Sequence, residues 1–249
     1  MKPAIDILDL SVSFPLRHGT VHALRNLNLT VEPGRVCGFL GPNGAGKTTT
    51  IHVLLGFLRP SSGTACVFGA DVGQTIARER IGYLAENPDT YTFLTGRELL
   101  TMSGRLFGLK GAALRRRCAE LLAELGLTDA ADRRIAGYSR GMRQRICMAQ
   151  ALVNDPDLLI LDEPTGGLDP IGRLEIRRII ARCRDAGKTV FFSSHELSEV
   201  ELVCDRIAIL AAGRLVAEGR TSDLVKPGES LEKYFVDLVT AGAPRPGAP

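Results

Sequence analysis

Two N-terminal segments alternate apolar and polar residues. In the first, four apolar side chains fall on one face, at Leu8, Leu10, Val12 and Phe14. The second segment repeats the pattern with three, at Leu27, Leu29 and Val31. A period of two is typical of strands that bury one face. The pattern therefore predicts two half-buried, antiparallel strands, followed by a turn at 32–34.

Continuous apolar runs predict further strands that are buried on both faces. These predicted strands cover 36–40 and 158–161, and another strand is predicted at 189–193. Two shorter apolar runs, 207–210 and 215–217, flank a loop that contains Gly213, which is typical of a hairpin.

Helical patterns dominate the middle of the chain, from about 95 to 154. Thr95 and Glu98 have the spacing of a capping box, and a further helix is predicted after Ser139. Between them runs an apolar stripe at helical spacing, formed by Leu114, Cys118, Leu121, Leu122 and Leu125.

Three more helices are predicted outside this region. One covers 50–58, and another begins at the cap Asp169-Pro170 and turns four side chains inward, those of Leu174, Ile179, Ile180 and Cys183. The last covers about 229–239, and the tail 241–249, composed of Ala, Gly, Pro and one Arg, is predicted to be disordered.

Composition excludes several classes of protein. The chain has 249 residues, 45% of them hydrophobic, and a net charge of +3. Its apolar runs are far shorter than the roughly 18 residues of a membrane span, and Asp6 and Asp9 interrupt the first run, unlike a signal peptide. We therefore expect neither a membrane-embedded, a secreted nor a disordered protein. The six cysteines are widely spaced, which favours reduced, buried thiols of a cytosolic protein over a metal site or disulfides.

A glycine-rich loop follows the strand predicted at 36–40. It matches the pattern G-x-x-x-x-G-K-[ST] and consists of Gly41, Pro42, Asn43, Gly44, Ala45, Gly46, Lys47, Thr48 and Thr49. Its backbone N–H groups and the following helix can cradle phosphates. Lys47 would reach the β- and γ-phosphates, and the Thr48 hydroxyl would bind Mg²⁺.

Two acids, Asp162 and Glu163, end the strand predicted at 158–161. Alone, this pattern fits equally a strand that ends in surface acids. Together with the phosphate loop it predicts a nucleotide site in which Asp162 holds Mg²⁺ through a water and Glu163 is the general base.

The segment 138–145, Tyr-Ser-Arg-Gly-Met-Arg-Gln-Arg, is termed the signature segment below. Taken alone it fits an ordinary N-capped helix, but with the two motifs above the chain resembles the ATP-binding cassette (ABC) ATPases, whose signature is usually LSGGQ-x-Q-R. The resemblance implies that four residues contact ATP held by a partner cassette: Ser139, Arg140, Gly141 and Met142.

The resemblance also implies roles for residues outside these motifs. Phe14 would stack on adenine, Asp169 belongs to the D-loop, and His195 would be the switch histidine that contacts the γ-phosphate. Glu86 occupies the Q-loop position, where many members have Gln. In the signature segment, Arg140 and Met142 replace the usual Gly and Gln.

The implied fold is α/β, with a P-loop (RecA-like) core, an N-terminal antiparallel β subdomain and an inserted α-helical subdomain. The ABC ATPase domain would cover 4–240, with the core at about 4–90 and 155–220, the insertion at about 91–154 and the C-terminal helix at about 229–239.

The resemblance implies ATP and Mg²⁺ as cofactors and two kinds of partner. One is a second cassette, giving a homodimer or heterodimer, and the other is a set of separate transmembrane permease subunits. The chain would lie in the cytoplasm, on the cytoplasmic face of the membrane. The permease would dock around 86–94, where Tyr91 and Phe93 either meet it or pack under the insertion. Glu86, Met142 and the C-terminal helix are similar to those of multidrug- and lipid-type exporters.

Two alternatives compete with a transporter subunit. A GTPase or kinase is excluded by the signature segment and by the lack of an Asn-Lys-x-Asp motif. A soluble ABC ATPase acting on ribosomes or nucleic acid stays open, although the single cassette and the short insertion disfavour it. The arginines at 115–117 and 177–178 fit a solvated face better than a nucleic-acid site, and no nucleic-acid partner is expected.

Overall fold

The computed structural model describes residues 2–17, 19–88, 90–224 and 230–242. Its strands are β1 (Ile5–Leu16), β2 (Gly19–Val31), β3 (Val36–Leu40), β4 (Ser62–Val67), β5 (Ala70–Asp71), β6 (Ile81–Leu84), β7 (Leu158–Asp162), β8 (Thr189–Ser194), β9 (Arg206–Ala211) and β10 (Arg214–Arg220). Its α-helices are α1 (Lys47–Leu54), α2 (Thr75–Glu79), α3 (Gly96–Leu106), α4 (Gly111–Glu124), α5 (Arg140–Ala151), α6 (Pro170–Asp185), α7 (Leu197–Val203), α8 (Thr221–Leu224) and α9 (Leu231–Gly242).

A six-stranded sheet forms the centre of the fold, in the order β10-β9-β3-β8-β7-β6. All its neighbouring pairs are parallel except β9 and β10. Every residue of β3, β7 and β8 is buried, as the apolar runs predict for β3 and β7. Because these parallel strands end at one edge of the sheet, the loops that follow them meet there.

A four-stranded antiparallel sheet, in the order β2-β1-β4-β5, contains the N-terminal strands. The face predicted for β1 is wrong at Leu8, which is 61% exposed, and at Phe14 near the strand's end, which is 39% exposed. Asp9 has a φ of +48°, and the pairing of β1 with β2 shifts register between Ile7 and Leu10. This bulge inserts one residue, so Ile7 and Leu10 are buried and Leu8 points to solvent.

Helices α3, α4 and α5 lie between β6 and β7 in the chain, as the helical patterns predict. Thr95 caps α3, and both hydrogen bonds of the capping box with Glu98 are present. The apolar stripe predicted for α4 is buried along its whole length.

Several predicted boundaries differ from the structure. Helix α1 begins at Lys47 instead of 50, because Gly46, with a φ of +110°, forms its N-cap. The helix ends at Leu54 instead of 58. In α6, Leu174 is 38% exposed, whereas Ile176 is fully buried and faces the core. Helix α9 continues through 242, so the predicted disorder at 241 and 242 is wrong, and the rest of that tail lies outside the described residues.

The β9–β10 hairpin packs against the phosphate loop. Its two-residue turn, Ala212 and Gly213, has positive φ at both positions, as in a type I′ turn. The backbone N–H of Gly213 donates to the carbonyl of Ala45 at 3.0 Å. A Cβ on Gly213 would overlap the carbonyl of Ala23 in β2, so glycine allows the hairpin, the loop and β2 to meet.

Candidate functional site

The loop between β3 and α1 forms one wall of the candidate site. Gly44 and Gly46 have φ values of +77° and +110°, which favour glycine. Gly41 and Gly46 lie so close to Leu210 and Ala23 that a Cβ on either would overlap a backbone carbonyl. This curled backbone leads directly into α1, whose N-terminus adds a partial positive charge.

Lys47 is buried at the start of α1, with 7% of its surface exposed. Its ammonium donates to the carbonyl of Gly41 at 2.6 Å and lies 3.6 Å from Oε1 of Glu163. The next residue, Thr48, has an exposed side chain. Lys47 therefore connects the phosphate loop with the acids at the end of β7.

The two acids at the end of β7, Asp162 and Glu163, share a partner, the hydroxyl of Ser193 near the end of β8. Ser193 Oγ donates to Oδ1 of Asp162 at 2.5 Å and accepts from the backbone N–H of Glu163 at 2.9 Å. All three residues are buried. A buried carboxylate needs hydrogen-bond partners, and Ser193 supplies one for Asp162.

Glu163 is the centre of the site. Its backbone has a φ of +48°, a conformation that non-glycine residues rarely adopt. His195 Nδ1 lies 2.8 Å from Oε2 of Glu163, and the His195 backbone N–H donates to the same oxygen at 3.3 Å. Because a carboxylate only accepts hydrogen bonds, Nδ1 carries the proton of this contact.

Lys47, Asp162, Glu163 and His195 thus form one connected group through direct contacts and Ser193. Within the described residues, no hydrogen bond or ion pair links Phe14, Glu86, Ser139 or Asp169 to this group.

The signature segment contacts the turn after Glu163. Ser139 caps α5 and accepts from the backbone N–H of Met142 at 3.2 Å. Arg140 and Gln144 donate to backbone carbonyls of Gly166 and Pro164. Beyond that turn, Asp169 caps α6 and accepts from the backbone N–H of Gly172 at 2.7 Å, as its position before Pro170 predicts.

Phe14 and Glu86 lie at the periphery. Phe14 is 39% exposed and pairs with Val21 of β2. Val21 lies two residues before Ala23, which packs on the phosphate loop. Glu86 is exposed. Burial, with the negative charges of Asp162 and Glu86, raises the pKa of Tyr83 to about 12, so its phenol stays protonated and can donate a hydrogen bond.

Three residues of the site carry no motif of their own in the sequence. Ser193 was predicted only as the end of a strand, Gln144 only as part of the signature segment, and Tyr83 only as a neighbour of the Q-loop position. The available signal for Ser193 was a polar residue at the carboxyl end of a buried strand.

Comparisons with known proteins agree with this geometry. A family model described as "ABC transporter" matches residues 24–166, more than half of the chain. The chain belongs to the ABC transporter family. An uncharacterised ABC transporter ATP-binding protein of Nostoc sp. is 50% identical over 207 residues, 82% of this chain and 62% of that protein. The daunorubicin/doxorubicin resistance ATP-binding protein DrrA of Streptomyces peucetius is 47% identical over 204 residues, 81% of this chain and 62% of DrrA.

The fold is that of an ABC cassette. A solved ATP-binding subunit of an ABC transporter superposes with a TM-score of 0.83 at 31% identity, covering 94% of this chain and 99% of that one. The chain spans about three fifths of the length of both relatives named above. In the described part of the cassette, no helix is both long enough and apolar enough to cross a membrane.

Proposed function

We propose that this cassette binds Mg²⁺ and ATP on the 41–49 loop, hydrolyses the ATP and thereby powers a transporter. The observation that carries the proposal is the contact of Lys47 and His195 with the two oxygens of Glu163, whose side chain is buried next to that loop. The family of the chain supports ATP as the nucleotide.

The proposed reaction is attack of water on the γ-phosphorus. Glu163 takes a proton from the water as its oxygen bonds to phosphorus, and the bond to the β–γ bridging oxygen breaks and releases ADP. Lys47 holds the β- and γ-phosphates, and His195 orients Glu163 and contacts the γ-phosphate. Phe14 supplies a π-face for adenine.

The residues present fit a Mg²⁺ ion. Mg²⁺ binds a few protein oxygens beside phosphate oxygens and waters, and Thr48 offers a hydroxyl. Asp162 uses Oδ1 for Ser193, and its Oδ2 makes no hydrogen bond within the described part of the chain. Bound Mg²⁺ would neutralise charge that develops on the phosphate oxygens. Glu86 would lie near the ion or the water.

The catalytic unit in this proposal is a head-to-tail dimer of cassettes. Ser139, Arg140, Gly141 and Met142 of one chain would cover the ATP on the other, with Asp169 near the interface. The proposal retains the predicted division of 4–240 into a core and an insertion at about 91–154. The order of elements supports it, because α3, α4 and α5 separate β6 from β7.

A groove between β6 and the helices α3 and α5 is the proposed docking site for a permease. It has a volume of about 360 Å³, and exposed Leu106 and Phe107 lie on its wall. Ser103 also lines it, and its buried hydroxyl has no hydrogen-bond partner among the residues that the structure describes. Tyr91 and Phe93, 53% and 67% exposed, contact each other, which supports a partner contact over packing under the insertion.

The proposed permease consists of separate transmembrane subunits, and the cassette would bind their cytoplasmic side. The similarity to DrrA, a drug resistance ATP-binding protein, supports an exporter. Ribosomes or nucleic acid are the alternative partners. Against them, Arg117 donates to the carbonyl of Leu152 at 2.6 Å, and Arg177 pairs with Glu199 at 2.7 Å, so these arginines have partners within the chain.

Phosphate release from ATP by the purified chain tests the proposed activity. Wild type should release phosphate in the presence of Mg²⁺, and Lys47→Ala should reduce the rate at least about 100-fold, since the ammonium serves the transferred phosphate. Lys110→Ala is the control, because the exposed Lys110 side chain makes no hydrogen bond or ion pair in the described part of the chain. Equal rates for Lys47→Ala and wild type would refute the assignment.

A further inference from the structure

The turn that follows Glu163 is held from outside by two side chains of α5. Arg140 Nη2 donates to the carbonyl of Gly166 at 2.9 Å. One helical turn later, Gln144 Nε2 donates to the carbonyl of Pro164 at 2.8 Å. Both bonds cross from the helices between β6 and β7 to the segment that carries the proposed general base.

The turn needs such support because of its backbone. Glu163 has a φ of +48°, and the turn is closed by the N–H of Gly166, which donates to the Glu163 carbonyl at 3.0 Å. A strained backbone of this kind persists only where surrounding contacts fix it. A chain of hydrogen bonds therefore runs from the Arg140 guanidinium through the Gly166 peptide to Glu163.

Arg140 also packs closely on Gly167. Gly167 has a φ of +63°, and a Cβ there would overlap the Arg140 guanidinium. The guanidinium therefore lies directly against the glycine backbone while it donates to the neighbouring carbonyl. A glycine, the usual residue at this signature position, has no side chain with which to make either contact.

We infer that Arg140 is a positioning residue, which holds the 163–167 turn so that the Glu163 carboxylate faces the attacking water. The inference rests on the proposed function, in which Glu163 is the general base. It gives Arg140 a role inside its own chain, separate from any contact of the signature segment with a partner's ATP.

Amide hydrogen exchange of the chain without nucleotide tests the structural half of this inference. Arg140→Ala should speed exchange of the amides of Gly166 and Leu168, which donate to Glu163 and Thr165 carbonyls, by about tenfold. Arg178→Ala, which alters an exposed arginine without a partner in the described residues, should leave them unchanged. Unchanged exchange in Arg140→Ala would overturn the inference whether or not the chain hydrolyses ATP.

Steady-state kinetics test the catalytic half. Arg140→Ala should lower kcat about 10- to 100-fold with little change in KM, because a displaced base weakens the chemical step. Arg140→Lys should recover part of kcat, since the ammonium can still donate to the Gly166 carbonyl. A raised KM with unchanged kcat would leave Arg140 only its contact with the partner's ATP, with no role in positioning Glu163, and would overturn the inference. A wild-type chain without ATPase activity would refute the proposed function, while the exchange result stands independently.

Discussion

Ser193 contacts both acids at the end of β7, Asp162 and Glu163. Its hydroxyl donates to Asp162 and accepts from the backbone of Glu163, so one atom sets the positions of both. The three residues are buried, where an unpaired carboxylate is costly. The geometry of the proposed metal ligand and that of the proposed base therefore depend on the same side chain.

Ser193→Ala should weaken both stability and catalysis. Loss of the donor to buried Asp162 should lower the free energy of unfolding by about 1–3 kcal/mol, which thermal unfolding will measure. The same variant should lower kcat, because Glu163 loses the acceptor of its backbone N–H. The matched control is Ser198→Ala in α7, whose exposed side chain makes no hydrogen bond in the described part of the chain. Equal melting temperatures for the two variants would contradict this role.

Residues with a fixed spacing were predictable from the sequence. The motifs identified Lys47, Asp162 and Glu163, and the structure brings Lys47 and Glu163 into contact. Ser193 could not be identified in the same way, because a serine near a strand end has no characteristic spacing to the acids. Its role depends on the parallel pairing of β7 with β8, which sets Asp162 opposite Ser193.

At the scale of single elements, β1 shows how one residue changes a strand's faces. The left-handed backbone of Asp9 interrupts the alternation, and the Asn28 side chain accepts from its backbone N–H at 2.9 Å. Before the bulge the odd-numbered residues Ile5 and Ile7 face the core, and after it the even-numbered residues Leu10 and Val12 do. The prediction from alternation alone is correct for Leu10 and Val12 but wrong for Leu8.

Two alanine substitutions in β1 should differ strongly in cost. Leu10→Ala removes a fully buried side chain and should lower the free energy of unfolding by about 2–5 kcal/mol. Leu8→Ala removes a side chain that is 61% exposed and should change it by less than about 1 kcal/mol. Urea unfolding of both variants checks this. Equal destabilisation would mean that the unbroken alternation describes β1 better than the bulge does.

Helices and strands with a strong sequence pattern were predictable. Strands that form only because a neighbouring strand pairs with them were not. The buried runs of β3 and β7 and the capping box of α3 determine their own structure. Strand β4 has no comparable pattern in its sequence SGTACV, and β5 has only two residues. Strand β4 forms because it pairs with β1, and β5 forms because it pairs with β4. Only the tertiary structure reveals these pairings.

At the scale of the whole molecule, the reactivity of the cysteine thiols reports how well the core excludes solvent. All six are free, and four of them are buried. Burial is the main cause that raises the pKa of Cys37 to about 12 and those of Cys147 and Cys183 to about 11. A raised thiol pKa keeps the thiol neutral up to a higher pH, so the reactive thiolate is rare near pH 8.

In the native protein at pH 8, these three thiols should react slowly with a disulfide reagent. Cys66, which is only partly buried, should react first. All six should react rapidly after unfolding in guanidinium chloride, since the unfolded chain removes the burial. Mass spectrometry of the labelled peptides identifies the order. Rapid native labelling of Cys37 would contradict the packing of β3 between β8 and β9.

At the scale of the assembly, we propose that two cassettes close on ATP and that Glu163 then starts its hydrolysis. Glu163→Gln keeps the shape of the side chain but removes the base, so ATP should bind and persist. The most direct measurement is light scattering of this variant with Mg²⁺ and ATP, combined with analysis of the bound nucleotide. We expect a particle of twice the mass of one chain that contains intact ATP and releases no phosphate. Hydrolysis at the wild-type rate by Glu163→Gln would contradict it.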